Sequence, residues 1–416
     1  MIRAVKGMRD ILPPSSAVWN HVEATARRVF AAYNYQEIRT PILEETALFA
    51  RSVGEDTDIV GKEMYTFDDR DGSSLTLRPE STASVLRAYI EHRLDQHPGL
   101  QKLYYIGPMF RRERPQKGRY RQFFQIGAEA IGTESPFIDA EVIEMVIAVL
   151  QELGIADFQL LINSVGCKHC RAKFNKALRE KLKDLAPKMC VDCQRRAITN
   201  PLRVLDCKVP EDQPIIETLP SILDYLDEPC LEHFQKVREY LGDRQIAYEV
   251  KPRLVRGLDY YMRTTFEITH GSLGSQNSIL GGGRYDGLAE SLGSKVAAPG
   301  IGFSIGEDRL VMIVEERQAA APSALDLYIA PMGEAALRHC GMLAAELRKQ
   351  GISIEIGTEN KLKRMLELAN KLNARYALIV GDNEIVSKSY TLKDMASGEQ
   401  STLSREALIQ RLNPSA

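Results

Sequence analysis

Apolar residues recur at helical spacing near the start of the chain. Val18, Trp19, Val22, Val29, Phe30 and Tyr33 share one face, and Ser15 or Ser16 is placed to cap the helix they predict. YQEIRTPILEE (35–45) reads as extended, with Pro41 restricting it to a strand edge or a strand start. PESTASVLRAYIEHRL (79–94) predicts a second helix entered through Pro79 and Glu80. QKLYYIGPMFRRE (101–113) and RYRQFFQIGAEAIG (119–132) then read as two strands joined by a basic turn containing Pro and Gly, which makes a hairpin. DAEVIEMVIAVLQELG predicts a helix ending at Gly154, and FQLLINSVG a strand after it.

The pattern changes at Cys167. Residues 167–246 are charged, helical in period and hold six of the seven cysteines, so they read as an insertion. Strand signals resume at AYEVKPRLVRGLDYY (247–261), TTFEITH (264–270), QNSILGGGRYDG (276–287) and GIGFSIG (300–306), followed by a helix over EDRLVMIVEER. Small residues at 319–324 predict a linker. Beyond it, apolar strands and amphipathic helices alternate from 325 to 416, which predicts a small α/β domain. The expected organisation is a main body of 1–166 plus 247–318, the insertion, the linker and that last domain.

Composition narrows the class. A chain of 416 residues with 44% hydrophobic and 26% charged residues is expected to be globular and multi-domain. The formal net charge of -2 argues against bulk polyanion binding, so any nucleic-acid contact is expected from local patches. The start, MIRAVKGMRDILPP, has no apolar secretory core, and no apolar run approaches a membrane span. A cytoplasmic protein without membrane attachment is expected.

The hairpin departs from this neutral background. Arg111, Arg112, Arg114, Lys117, Arg119 and Arg121 fall within eleven positions, against one acid, Glu113. On the second strand, alternation places Arg121, Phe123, Gln125, Gly127 and Glu129 on one face and Phe124, Ile126, Ala128 and Ala130 on the other. The second face is apolar and suits packing under helices. The first fits either a solvated sheet or a slot in which arginine meets phosphate, Phe123 stacks on a base and Gln125 and Glu129 bind a polar group. Neither a P-loop nor a Rossmann glycine pattern occurs, so a bound nucleotide would be held by side chains.

FRRERP...GRYRQFFQIGAE resembles motif 2 of the class II aminoacyl-tRNA synthetases. GIGFSIGEDRL resembles their motif 3, with its arginine at Arg309, and IRTPILEE around Pro41 resembles motif 1, the dimer segment of the class. LVRGLDYY (254–261), GGGRYDGL (281–288) and TLRPESTA (76–83) are similar to the signature segments and substrate loop of the histidyl-tRNA synthetase family. The resemblance covers essentially the whole chain. It implies a multi-domain α/β fold: a class II catalytic domain on an antiparallel sheet flanked by helices, a helical insertion, and an α/β anticodon-binding domain with a mixed sheet.

It also implies roles. Arg111 and Arg256 would be catalytic, meeting the reacting α-phosphate from two directions. Glu113, Arg121, Phe123 and Arg309, with Arg111, would bind ATP. Glu80, Ser81, Thr82, Gln125, Glu129, Tyr260, Tyr261 and Tyr285, with the two catalytic arginines, would hold histidine. From the residues alone, a helix N-terminal acid is a common alternative reading of Glu80 and a buried structural carboxylate one of Glu129, while a strand-end cation is the less favoured reading of Arg256, which Gly257 and Asp259-Tyr260-Tyr261 follow. ATP with magnesium, L-histidine, tRNA-His and a second copy of the chain are the implied partners. A catalytically inactive regulatory subunit of histidine biosynthesis is the competing reading; such paralogues lack the last domain and usually parts of LVRGLDYY, both present here. Independently of the family, Cys167/Cys170 and Cys190/Cys193 are two C-x-x-C pairs separated by 19 residues, which fits one four-cysteine structural zinc site; reduced, unliganded cysteines are the alternative. Lys361, Lys363, Arg364 and Lys371 fit a tRNA-facing surface or a solvated helix face.

Overall fold

The computed structural model describes residues 2–54, 57–116, 118–317, 325–359 and 361–412. The chain divides into two compact units, Met1–Arg317 and Gln318–Ala416. The predicted linker and Lys117 lie outside the described residues. In chain order the strands of the first unit are β1 (Gln36–Glu37), β2 (Leu43–Glu45), β3 (Tyr65–Asp68), β4 (Ser74–Leu77), β5 (Gln101–Phe110), β6 (Gln122–Ile131), β7 (Phe158–Ser164), β8 (Glu249–Val250), β9 (Met262–His270), β10 (Ser278–Arg284) and β11 (Gly300–Gly306).

Eight of them form one sheet in the order β1-β5-β6-β11-β10-β9-β7-β8. The six central strands pair antiparallel, and the short edge strands β1 and β8 join in parallel, so the antiparallel expectation holds for the body of the sheet and not for its rims. The predicted hairpin is present, in register from Gln101↔Ile131 to Phe110↔Gln122.

One face of the sheet is the core. Ile126, Ala128 and Ala130 of β6 and Phe266 and Ile268 of β9 pack with Ile301, Phe303 and Ile305 of β11. They are covered by Trp19, Val22 and Phe30 of helix Ser15–Ala32, by the apolar length of Pro136–Glu152, and by Leu310 and Val314 of Glu307–Glu316. Each buried Val, Leu, Ile or Phe among them contributes about 1.5–3 kcal/mol. The opposite face is left for polar groups.

Two local expectations are corrected, and a third, the extended segment around Pro41, is met in a sheet of its own. The first helix begins at Ser15 with Pro14 at its cap position, and no side chain caps it; Ser15 Oγ instead donates to Glu315 Oε1 at 2.6 Å. Only Glu249–Val250 of the stretch 247–261 is strand. Pro252 and Gly257 break the ladder, and the loop that follows is pinned by Asn163, whose Nδ2 donates to Pro252 O (3.1 Å) and Leu254 O (3.0 Å). The segment around Pro41 contributes β2 to a separate sheet of order β2-β4-β3, which periodicity did not reveal.

Between β7 and β8 the chain is helical, with Lys168–Leu185, Val191–Thr199 and Glu228–Asp243 as its longer elements. Its apolar residues, among them Phe174, Leu178, Cys193 and Val204, share one cluster with Tyr260 and Tyr285 of the main body. The insertion is therefore packed into the first unit.

The second unit carries a five-stranded mixed sheet. Strands β12 (Leu325–Pro331), β13 (Ile354–Ile356), β14 (Ala374–Val380), β15 (Ser389–Asp394) and β16 (Gln400–Ser404) take the order β13-β12-β14-β15-β16, parallel across the first three and antiparallel beyond. No helix among the described residues is long and apolar enough to cross a membrane.

A buried ion pair joins the sheet to its covering helix. Arg284, at the end of β10, is fully buried and grips Asp139 of helix Pro136–Glu152 through Nη2–Oδ1 (2.7 Å) and Nε–Oδ2 (3.1 Å). Burial pushes the Asp139 carboxyl up to about 6, and Arg284 opposes that rise. Arg284→Met leaves an uncompensated buried carboxylate and is expected to cost about 3–5 kcal/mol in unfolding free energy. Adding Asp139→Asn should recover part of that loss, as read by urea denaturation.

Candidate active site

A cavity of about 950 Å3 lies over the polar face of the central sheet. Antiparallel partners in register project to the same side, which sets its floor in rows. Glu129, Gly302 and Gly283 form one row, and Gly127, Ser304, Gly281 and Glu267 the next. The glycines make room. A β-carbon on Gly302 would stand 1.8 Å from Glu129 Oε2, and one on Gly281 would stand 1.9 Å from Arg256 Nη2.

The two arginines implied as catalytic both line this cavity. Arg111 leaves the end of β5, its Nε donating to Pro79 O at 2.9 Å and its guanidinium lying 5.2 Å from the Phe123 ring centroid. Arg256 comes from the loop after β8 and pairs with Glu267 of β9 at 2.5 Å. Arg309, in the first turn of helix Glu307–Glu316, donates through Nη1 to Ser278 O at 2.6 Å. Burial and the neighbouring Arg119 cation pull its pKa down, so this corner favours an added anion. Glu113 accepts from Arg119 Nη1 at 3.0 Å.

Beneath them the acids are buried. Glu80 accepts from the backbone N–H groups of Thr82 (2.8 Å) and Ala83 (3.1 Å), so it does act as an N-terminal acid of helix Thr82–Glu91, while also lining the cavity. The Tyr260 hydroxyl lies 3.5 Å from its Oε2. Glu129 is 1% exposed and accepts from Thr82 Oγ1 and the Tyr285 hydroxyl, each at 2.7 Å. Burial raises Glu129 to about 8; the bonds from Tyr285 and Thr82 only partly offset it, and the nearby Glu80 adds to it. Gln125 lines the cavity, and its Oε1 is buried without a hydrogen-bond partner among the described residues.

Most of the implied residues thus converge. Glu80, Thr82, Arg111, Glu113, Phe123 and Gln125 line the cavity, as do Arg256, Tyr260, Tyr261 and Arg309. Glu129 and Tyr285 lie behind the lining. Ser81 is fully buried, its Oγ 3.5 Å from Thr40 Oγ1. Arg121 lies off the lining and donates to Glu113 O (3.3 Å) and Lys6 O (3.4 Å). Sequence reasoning missed Glu267, although it is the one acid in TTFEITH, and it missed Arg203 and Asn200. Arg203 Nη1 donates to Arg256 O at 3.2 Å, and Asn200 Nδ2 donates to the Asp259 carboxylate at 3.1 Å.

The four-cysteine site is corrected. Cys167 and Cys170 group with Asp227 and Cys230, whereas Cys190 and Cys193 group with Cys207 and Asp212. The two pairs begin different helices, Lys168–Leu185 and Val191–Thr199, which face different third cysteines.

An antiparallel sheet with an arginine at the mouth of its hairpin, and another in the first turn of the helix after β11, defines the catalytic unit of a class II aminoacyl-tRNA synthetase. Residues 7–310 match the family model for histidyl-tRNA synthetase, and residues 326–413 match the anticodon binding domain. A histidine–tRNA ligase of Solibacter usitatus is 70% identical over 413 residues, covering 99% of both chains. One of Koribacter versatilis is 57% identical over 98% of this chain and 95% of its own. The crystal structure of the apo S. aureus histidyl-tRNA synthetase has a TM-score of 0.82 at 39% identity, over 99% of this chain and 100% of that one. The chain belongs to the histidyl-tRNA synthetase family.

The Glu129 shift gives a pH dependence. Between the ordinary carboxylate range and about 8, the ligand-free native state holds a proton on Glu129 that the unfolded state has lost. Its contribution to stability is full at low pH and lost as pH rises through about 8. Urea midpoints from pH 6 to pH 9 should fall more steeply for the wild type than for Glu129→Gln, which does not titrate there.

Proposed function

We propose that this chain activates L-histidine with ATP and transfers it to the 3′ end of tRNA-His. The observation that carries this reading is the pair Arg111 and Arg256, which enter one cavity from opposite ends of its floor, over β6 and over β10, with carboxyl groups beneath them. Attack of a carboxylate on the α-phosphorus of magnesium–ATP builds negative charge on that phosphate as pyrophosphate leaves. Two fixed guanidinium groups stabilise that charge in the transition state. Arg256 is held by Glu267 and by Arg203 at its carbonyl, so little reorganisation is needed during the reaction.

Arg309 and the N-terminus of its helix provide a site for the outer phosphates. Phe123 offers a stacking surface for adenine, and Glu113 an acceptor for its amino group. For the amino acid, Glu80, Thr82 and Gln125 take the α-ammonium, and Glu129 and Tyr261 take the imidazole. A pocket whose polar groups are left unpaired by the wrong ligand rejects it by about 10⁴–10⁵. The ribose hydroxyl of the tRNA then attacks the adenylate carbonyl and releases AMP.

Exposed Lys361, Lys363, Arg364 and Lys371 along helix Leu362–Lys371 support tRNA contact by the second unit. Partly exposed Ile42 and Leu43, in the motif 1-like segment, support a homodimer. The cytoplasm is the compartment in which these substrates meet.

Histidine-dependent ATP–pyrophosphate exchange tests the reading; silence from folded protein defeats it and favours the regulatory alternative. In the same assay Arg256→Ala should lower the adenylation rate by about 10²–10³ with a much smaller change in histidine affinity. Equal losses in both would contradict that role. Glu129→Ala should raise KM for histidine, and an unchanged KM would remove Glu129 from the pocket.

A further inference from the structure

We propose that the helical insertion binds two zinc ions as nested staples. The outer site is Cys167, Cys170, Asp227 and Cys230. The inner site is Cys190, Cys193, Cys207 and Asp212. This goes beyond the reading of the cleft and does not depend on it.

Within each group the four ligand atoms lie within 4.8 Å of one another. Tetrahedral zinc with Zn–S bonds near 2.3 Å holds its sulfurs about 3.8 Å apart. Cys167 Sγ is 3.6 Å from Cys170 Sγ, and Cys190 Sγ is 3.9 Å from Cys207 Sγ. All seven cysteines are free, and these separations are well beyond a disulfide bond.

The two groups share one construction. In each, a C-x-x-C pair opens a helix: Cys167 is the cap residue of Lys168–Leu185, and Cys190 that of Val191–Thr199. Helix N-termini present unpaired N–H groups and positive potential, which favour thiolate. Backbone N–H groups also point at the sulfurs, from Asp227 to Cys170 Sγ at 3.2 Å and from Val209 to Cys207 Sγ at 3.4 Å. Each aspartate divides its carboxylate. Asp227 Oδ1 caps its own helix at Cys230 N (3.1 Å), while Oδ2 turns to within 3.2 Å of Cys167 Sγ. Asp212 accepts from Cys190 N and approaches Cys207 Sγ to 3.2 Å through Oδ2. Each zinc ion that binds displaces three thiol protons and leaves no other product.

The staples act on different things. The outer one ties the start of the insertion to its last long helix, Glu228–Asp243. The inner one closes the segment that carries Asn200 and Arg203, which hold the cleft loop at Asp259 and Arg256. The long first helix buries Cys170 on the same side as Phe174, Leu178 and Leu182, so the outer site sits at the edge of the insertion's apolar cluster.

The test uses the full-length, untagged chain, reconstituted with zinc under reducing conditions, freed of loose metal by gel filtration and assayed by elemental analysis. Two zinc ions per chain are expected. A mercurial thiol reagent with a chromogenic zinc indicator should release both from the wild type, in two steps that track six of the seven thiols. Cys230→Ser and Cys207→Ser should each retain one ion. Fewer than two ions in the wild type overturns the proposal, as does zinc release that does not track the thiols. If either variant fails to fold, the wild-type titration alone decides.

Discussion

Arg256 and Glu129 occupy space that a side chain on the sheet would fill. The floor of the cleft can hold a guanidinium at Gly281 and a carboxyl at Gly302 because neither position has a β-carbon. The rest of the architecture serves that vacancy. The ladders place the glycines in rows, the apolar back face anchors the ladders under three helices, and the Arg284–Asp139 pair locks the end of the glycine-rich strand to the helix behind it. A strand with three successive glycines is intrinsically weak. Here it is central, paired on both sides, and followed immediately by a buried bidentate ion pair.

Much of this was legible in the chain, for identifiable reasons. The hairpin was readable because its period of two is strict and its face splits cleanly into Ile126, Ala128 and Ala130 against Phe123, Gln125 and Glu129. The loop 251–261 was misread as strand, because its apolar and aromatic residues serve the cleft and the insertion core instead of a ladder. Glu267 went unnoticed because its role depends on cross-strand register with Gly281, which no local pattern encodes. The cysteines were read as one candidate four-cysteine set, whereas the fold places them in two groups. Spacing along the chain shows which cysteines share a helix end, and only the fold shows which third cysteine that end faces.

The insertion contributes to the cleft without reaching its floor. Arg203 and Asn200 hold the backbone of Arg256 and the carboxylate of Asp259, and the apolar cluster beneath them is continuous with Tyr260 and Tyr285. The loop that carries Arg256 is therefore fixed on one side by the sheet, through Asn163, and on the other by a module that adds no strand to it. Changes in the insertion far from any substrate would be felt as a displacement of the Arg256 carbonyl.

The raised affinity of Glu129 for its proton means that the empty cleft is an acid near neutral pH. A ligand ring with an acceptor nitrogen can take a hydrogen bond from that proton. A ring of the same outline but without an acceptor leaves that buried donor unpaired. Under the proposed function, the chain would thus discriminate by hydrogen-bond acceptance as well as by fit, and the selection would be written in the chemistry of one buried acid instead of in the contour of the wall around it.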